Sequence, residues 1–152
     1  MYKLSITEDE EEIFDLILIN SVLEDYKMAF HLNKIMPFQF SKSLKPEFIK
    51  NKTNHNFEFY KFENEIENLF WYLIPNKKTI PIELKTVGLF EDNIEEQVYF
   101  LSEFKKFDYI IKFTDEKIET KDLIKKINKI NKVSTAIIAD LNKIKNSKYL
   151  KF

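Results

Sequence analysis

Two stretches of this chain each follow a strand–helix–strand pattern, and this arrangement limits the fold more than any other feature of the sequence. In each stretch a run of apolar residues precedes a segment with helical periodicity, and a second short run follows it. The segments of the first stretch are 13–19, 22–35 and 38–41. The segments of the second stretch are 107–113, 121–131 and 133–139. Because such connections are right-handed, both helices should lie on the same face of a sheet.

An aromatic-rich hairpin separates these two stretches. Residues 57–63 and 69–74 are rich in Phe, Tyr and Trp, and a polar turn at 64–68 joins them. We therefore predict a single α+β domain over residues 1–152. It is a two-layer fold with a mixed, mainly antiparallel sheet, two main helices on one face, and two βαβ-like units separated by the hairpin. Residues 75–97 contain two prolines and the only glycine, which predicts a long irregular excursion.

The first helix carries a motif for its own start. Ser21 and Glu24 match a capping box, which predicts a helix over 22–35. Most other positions are apolar, so we expect this helix to be mostly buried. Its polar arc consists of Glu24, Lys27, His31 and Lys34. His31 is a candidate interaction residue, and so is Asn33, which lies inside the apolar sector as a link to the sheet backbone or as a group facing a pocket.

Composition excludes several classes of site. The chain has no Cys, which excludes disulfides, thiolate zinc sites, iron–sulfur clusters and cysteine nucleophiles. One glycine cannot build a phosphate-cradling loop, a dinucleotide fingerprint or a nucleophile elbow. We therefore assign no catalytic residue, no metal ligand and no cofactor. The apolar runs are too short to span a membrane, and the acidic start of the chain is unlike a signal peptide, so a cytoplasmic protein is expected.

Charge is divided unevenly along the chain. Residues 1–25 carry eight acids and one Lys, whereas 117–152 carry ten Lys and three acids. This division indicates two solvated faces or, alternatively, a basic surface for an acidic partner. The lysines that would form such a surface on the second helix and just after it are Lys125, Lys126, Lys129 and Lys132. Nucleic acid is the less favoured partner, because every basic residue is Lys and Arg supplies the bidentate contacts.

The run Leu101-Ser102-Glu103-Phe104-Lys105-Lys106-Phe107-Asp108-Tyr109 resembles the signature of the IPExxxVDY family, a bacterial family without an established activity. Two further landmarks are similar to that family. They are the helical element His31-Leu32-Asn33-Lys34 and the aromatic strand Phe70-Trp71-Tyr72-Leu73-Ile74 with Asn76-Lys77 after it. Within the signature, Ser102 and Phe107 stand where the family has proline and valine.

The signature residues Glu103, Phe107, Asp108 and Tyr109 have two interpretations. In the structural one, Asp108 accepts backbone amides at the start of a strand, Glu103 pairs with a Lys, and Tyr109 is a core ring with an anchored hydroxyl. In the functional one, Glu103 and Asp108 are an acid/base pair or half of a cation site. We favour the structural interpretation, since no DxD-type spacing lies beside these carboxylates.

These observations favour a non-enzymatic cytoplasmic protein-interaction or regulatory module, whose partner is another protein or a second copy of the chain. One alternative is an RNA- or ribonucleoprotein-associated accessory protein that uses the C-terminal lysines. A second alternative is an acid/base enzyme that uses Glu103 and Asp108.

Overall fold

The described part of the chain forms two helices and ten strands. The computed structural model describes residues 2–7, 10–45, 47–82, 94–145 and 147–152, with side chains from residue 13 onward except those of 147 and 148. The helices are α1 (Asp25–Ile35) and α2 (Thr120–Asn128). The strands are β1 (Tyr2–Thr7), β2 (Glu10–Ser21), β3 (Phe48–Lys50), β4 (Asn56–Glu58), β5 (Tyr60–Asn64), β6 (Leu69–Pro75), β7 (Lys77–Ile82), β8 (Ile94–Tyr99), β9 (Tyr109–Phe113) and β10 (Val133–Ile138).

Six of these strands form the main sheet. Its order is β1-β2-β9-β6-β5, and β10 also pairs with β2. Strand β2 is 12 residues long. Its first half pairs with β1, and its second half lies between β9 and β10. The pairs described in this sheet are antiparallel, so the predicted α+β class with a mainly antiparallel sheet is confirmed.

Both helices pack on one face of the main sheet, as predicted. The buried side chains of this layer include Ile17, Ile19, Leu73, Ile111 and Phe113 from the strands, and Met28, Leu32, Leu123 and Ile127 from the helices. The second strand–helix–strand unit is present as β9, α2 and β10. Both of its strands are antiparallel to β2, which lies between them, so they run parallel to each other.

The first unit lacks its predicted final strand. Residues 38–41 form only one isolated bridge, between Ser41 and Lys61. The reason lies in α1, where the Asn33 side chain occupies both backbone groups of Phe40. The Phe40 amide donates to Asn33 Oδ1 at 2.6 Å, and Asn33 Nδ2 donates to the Phe40 carbonyl at 3.1 Å. Those groups are therefore not available to a strand ladder.

The opposite face of the sheet is also covered, which adds a third layer to the two that were predicted. Hairpins β3–β4 and β7–β8 and residues 149–152 contribute to this layer. Its buried side chains include Phe14, Leu18, Ile74, Ile110, Phe57, Phe100 and Leu150. Part of the predicted irregular excursion is thus a hairpin. Pro81 is tolerated within β7 because, among the described strands, β7 pairs with β8 alone. Residues 83–93, with Gly88, lie outside the described part.

Helix α1 begins at Asp25, and the predicted capping box is wrong. Ser21 is instead the last residue of β2. Its hydroxyl donates to the Lys132 carbonyl at 2.8 Å and accepts from the Leu23 amide at 3.1 Å. Glu24 occupies the N-cap position without a side-chain capping bond. A distant backbone group has therefore replaced the local partner that the motif predicted.

Candidate interaction site

The signature loop between β8 and β9 is built around one buried side chain, that of Asn76. Its Nδ2 donates to the carbonyls of Phe104 at 2.9 Å, Phe107 at 3.1 Å and Leu101 at 3.4 Å. Its Oδ1 accepts from the Leu101 amide at 2.8 Å. Asn76 is fully buried, so this amide replaces the water that the loop's backbone groups would otherwise bind.

The backbone of Asn76 holds both ends of the same loop. Its amide donates to the Asp108 carbonyl at 2.8 Å, and its carbonyl accepts from the Phe100 amide at 2.9 Å. Next to it, Lys77 Nζ lies 3.0 Å from Asp108 Oδ1. The Asn76-Lys77 landmark and the signature are therefore one structural unit. Sequence reasoning gave Asn76 no role, since its partners lie 25–31 positions later.

Asp108 and Tyr109 connect this unit to the lead-in segment of α1, residues 21–24. Asp108 Oδ2 accepts from the Ser21 amide at 2.8 Å, and the Asp108 amide donates to the Ile19 carbonyl at 2.9 Å. The Tyr109 hydroxyl donates to the Leu23 carbonyl. Burial raises the pKa of this hydroxyl, and the nearby Asp25 and Asp108 carboxylates raise it further. Tyr109 therefore stays protonated and remains a donor.

The other two signature residues have separate surroundings. The Glu103 side chain is largely buried, with Lys52 Nζ 3.7 Å from Oε1 and the Ser102 hydroxyl 3.5 Å from the same oxygen. Phe107 is half-buried and packs against the buried side chains on the face of the sheet opposite the helices. The contacts described for Glu103 and for Asp108 include no common partner, so the geometry does not join them as a pair.

The outer face of α1 and the lead-in segment before it expose three apolar side chains, each four residues after the last. We call Val22, Tyr26 and Phe30 the helix stripe. Their exposed fractions are 83%, 54% and 58%. The prediction of a mostly buried helix is thus wrong for this face. Only Met28, Ala29 and Leu32 of α1 are buried within the helix itself, because the sheet contacts one side of it.

Charged and polar side chains surround the helix stripe. Lys34 Nζ lies 4.3 Å from the centre of the Phe30 ring, and Lys27 Nζ lies 5.7 Å from that of Tyr26. The His31 ring meets Phe30 edge-on at 5.6 Å. Cations are attracted to aromatic faces, and both aromatic residues remain more than half exposed. The structure thus places His31 beside the stripe, whereas Asn33 faces the 38–41 segment.

The predicted lysines of the second helix also lie in this layer. Lys125, Lys126, Lys129 and Lys132 are all exposed. The bond from the Ser21 hydroxyl to the Lys132 carbonyl places the end of the α2 region next to the lead-in segment. At its other end, α2 shares a groove with the C-terminal end of α1, where Ile35 and Met36 face Asp122 and Lys126.

Two features away from the signature were not predicted. The first is a cleft of about 640 Å³, whose lining includes the aromatic residues Phe70, Tyr72 and Phe152. The second is Lys112, which is fully buried in β9. Its Nζ donates to the carbonyl oxygens of Leu150 and Phe152 and lies 4.2 Å from the centre of the Phe152 ring. These contacts come from residues about 40 positions later, which sequence periodicity cannot reveal.

Within the described residues, no group of three or more His, Asp or Glu side chains could hold a metal ion. The described helices are also too short or too polar to cross a membrane. Comparison with known proteins finds no match: no family model, no curated protein and no solved structure matches the chain.

Proposed function

We propose that this chain is a non-enzymatic, cytoplasmic protein-interaction module that docks a partner on the helix stripe. The observation that carries this proposal is the exposure of Tyr26 and Phe30, one turn apart on α1, together with Val22 in the lead-in segment before the helix. Scattered exposed apolar residues are normal in proteins. A contiguous row of them on a charged helix is instead typical of a contact surface.

The surroundings of the stripe favour a particular partner surface. Lys27 and Lys34 lie over the two aromatic rings, and the neighbouring α2 carries further exposed lysines. The fitting partner is therefore a protein with an apolar depression for the rings and carboxylates around it. Aromatic residues anchor interfaces of this kind, and complementary charge increases the rate of association.

We further propose that the chain belongs to the IPExxxVDY family and that its signature acts by positioning. Asp108 and Tyr109 hold the lead-in segment of α1, and Asn76 and Lys77 hold the signature loop. These contacts support an architectural role, in which the signature fixes where the helix stripe begins. They do not support the enzyme alternative, because Glu103 and Asp108 have separate partners.

RNA is the competing occupant, since exposed aromatic rings beside lysines also suit single-stranded nucleic acid. We favour protein because the chain has a net charge of −1 and no Arg.

The test is affinity capture from native lysate with and without nuclease, followed by rebinding of each purified partner. The stripe variant is Tyr26→Ser with Phe30→Ser. The matched control is Leu44→Ser with Phe48→Ser, which removes two exposed apolar side chains elsewhere.

We expect to capture a protein whose binding survives nuclease treatment. When purified, this protein should rebind the wild type and the control. It should bind the stripe variant at least about tenfold more weakly, as for the loss of anchoring residues. Capture that the stripe variant retains would exclude this surface. Capture lost on nuclease treatment, or direct binding of single-stranded RNA that Lys125→Glu, Lys126→Glu and Lys129→Glu abolish, would instead place the RNA-associated function first.

A further inference from the structure

Strand β10 lies at an edge of the main sheet. Among the described strands it pairs with β2 alone. The Ala139 amide, just after the strand, donates to the Leu16 carbonyl of β2 at 2.9 Å. Because backbone groups alternate along an antiparallel ladder, the groups of Ile137 also point toward β2, and those of Ala136 and Ile138 point outward. An outward row of this kind is a template for another strand.

One side chain occupies the middle of this edge. The Ala136 amide donates to Asn128 Oδ1 at 2.8 Å, and Asn128 Nδ2 donates to the Ala136 carbonyl at 3.1 Å. The carboxamide thus makes the pair of hydrogen bonds that a peptide group of a neighbouring strand would make. Asn128 itself is exposed, near the end of α2, so its side chain can leave this position without unpacking the core.

The strand has few other protections against pairing. Residues 133–138 contain no proline and no charged side chain, which are the usual means of blocking an edge. Ile137 and Ile138 are 40% and 39% exposed. The edge is therefore apolar, β-branched and closed at its centre by a single asparagine.

We propose that the β10 edge binds an extended, acidic segment of a partner protein as an added strand. In the free protein the Asn128 side chain occupies the outward backbone groups of Ala136, and the segment displaces it. This surface is separate from the helix stripe, and the proposal does not depend on it. Strand addition of this kind obtains its affinity from main-chain hydrogen bonds and its specificity from the side chains beside the edge.

The charges around the edge indicate the acidic character of that segment. The exposed charged residues from Glu119, at the N-cap of α2, to Asp140, after β10, are Glu119, Lys121, Asp122, Lys125, Lys126, Lys129, Lys132 and Asp140. Five lysines thus oppose three acids. Pairing with a second copy would bring the lysines of two α2 helices together, since α2 packs beside β10. An isolated acidic strand avoids that repulsion and neutralises the lysines.

The test uses an end-blocked, fluorescent peptide of seven residues in which Glu alternates with Val and Thr. Two comparison peptides replace Glu by Lys or carry N-methyl groups on the central amides, which cannot pair with a strand. The proteins are the wild type, Asn128→Ala and Asn33→Ala. Asn33 is the matched control, because it makes the same two-bond contact from the other helix, to Phe40.

We expect Asn128→Ala to bind the Glu peptide about tenfold more tightly than the wild type, since two competing hydrogen bonds are gone. Asn33→Ala should bind like the wild type. The peptide should also slow hydrogen exchange at the amide of Ile138. If Asn128→Ala does not fold, Asn128→Ser, whose side chain is too short to make both bonds, replaces it in the comparison.

Three results would overturn the proposal. The first is equal affinity of the wild type and both variants for the Glu peptide. The second is undiminished binding of the N-methylated peptide, which would show that main-chain pairing does not contribute to binding, or of the Lys peptide, which would show that the charge of the segment does not contribute. The third is a dimer of Asn128→Ala in sedimentation that excludes the peptide, which would make a second copy of the chain the occupant.

Discussion

The carboxylate of Asp108 accepts a hydrogen bond from the backbone amide of Ser21, 87 positions earlier in the chain. Its second oxygen lies 3.0 Å from Lys77 Nζ. One side chain thus ties the end of β2 to the start of β7. Because the two contacts use different oxygens, substitution can separate them.

Asp108→Asn should remove the ion pair and keep an acceptor for Ser21. Both charged groups are partly exposed, so the expected loss in the free energy of unfolding is less than about 1 kcal/mol. Asp108→Ala also leaves the buried Ser21 amide unpaired, which should cost about 1–3 kcal/mol more. Urea unfolding measures both. Lys77→Met is the control and should match Asp108→Asn; equal losses for the Asn and Ala variants would contradict the role of the Ser21 bond.

Substitutions of Ser21 and Glu24 test where α1 begins and whether a capping box starts it. Ser21→Ala removes the donor to the Lys132 carbonyl and the acceptor for the Leu23 amide, so it should cost about 1–3 kcal/mol. Glu24→Ala should change stability by less than about 0.5 kcal/mol, since Glu24 makes no capping bond. Thermal melts of both variants decide the matter. Comparable losses from the two would restore the capping box and displace the start of α1.

Tyr109 combines a buried ring with an anchored hydroxyl. Tyr109→Ala should cost about 3–5 kcal/mol, as for a buried aromatic side chain. Tyr109→Phe keeps the ring and removes only the bond to the Leu23 carbonyl, which should cost about 0.5–1.5 kcal/mol. A normal melting temperature of Tyr109→Ala together with lost partner binding would show that the signature is itself a contact surface.

Asn76 should be among the most sensitive polar positions of the chain. Asn76→Ala leaves several carbonyls of the signature loop without their donor, so the free energy of unfolding should fall by about 3 kcal/mol or more. Asn131→Ala, at an exposed asparagine, is the control and should have little effect. Hydrogen exchange should localise the loss to residues 101–107; a uniform loss over the whole sheet would argue against a local role.

The partly buried carboxyl of Asp15 predicts how the stability of the protein depends on pH. Burial raises the pKa of this carboxyl, and the hydrogen bond from the Leu16 amide opposes the change only in part. The charged form is therefore disfavoured in the folded protein, and Asp15→Asn should melt at a higher temperature than the wild type at pH 7. The difference should shrink as the pH falls through the raised pKa, and should vanish below the ordinary value of 3.8. A difference that stays constant down to pH 3 would exclude this cause.

Local patterns predicted many of the elements themselves, but not the distant partners of those elements. The predicted central hairpin appears as β5 and β6, although residues 57–58 of its first strand belong instead to β4, which pairs with β3. The second strand–helix–strand pattern appears as β9, α2 and β10. Ser21 shows where such patterns fail. Its motif fits a helix cap, but its hydroxyl bonds to Lys132, 111 positions away, and no local rule contains that partner.

The candidate site was predicted less well than the fold, for a related reason. Exposure of Tyr26 and Phe30 depends on how far the sheet and α2 extend around α1, which helical periodicity does not determine. Asn76, Asn128 and Asn33 each bind backbone groups of another segment. In the sequence, Asn76 and Asn128 look the same as an asparagine in a solvated turn, whereas Asn33 is distinguished by its position inside the apolar sector of a helix.

The position of β9 has a consequence for synthesis of the chain. Residues 109–113 pair with β2 on one side and β6 on the other, and β10 reaches β2 only afterwards. Until β9 leaves the ribosome, the apolar run Leu16–Ile19 has neither of its neighbours. Contacts of such long sequence separation form late and slowly. The nascent chain therefore exposes an unpaired, aggregation-prone run until residues 109–113 and 133–138 have been made, and cooperative folding of the sheet must wait for them.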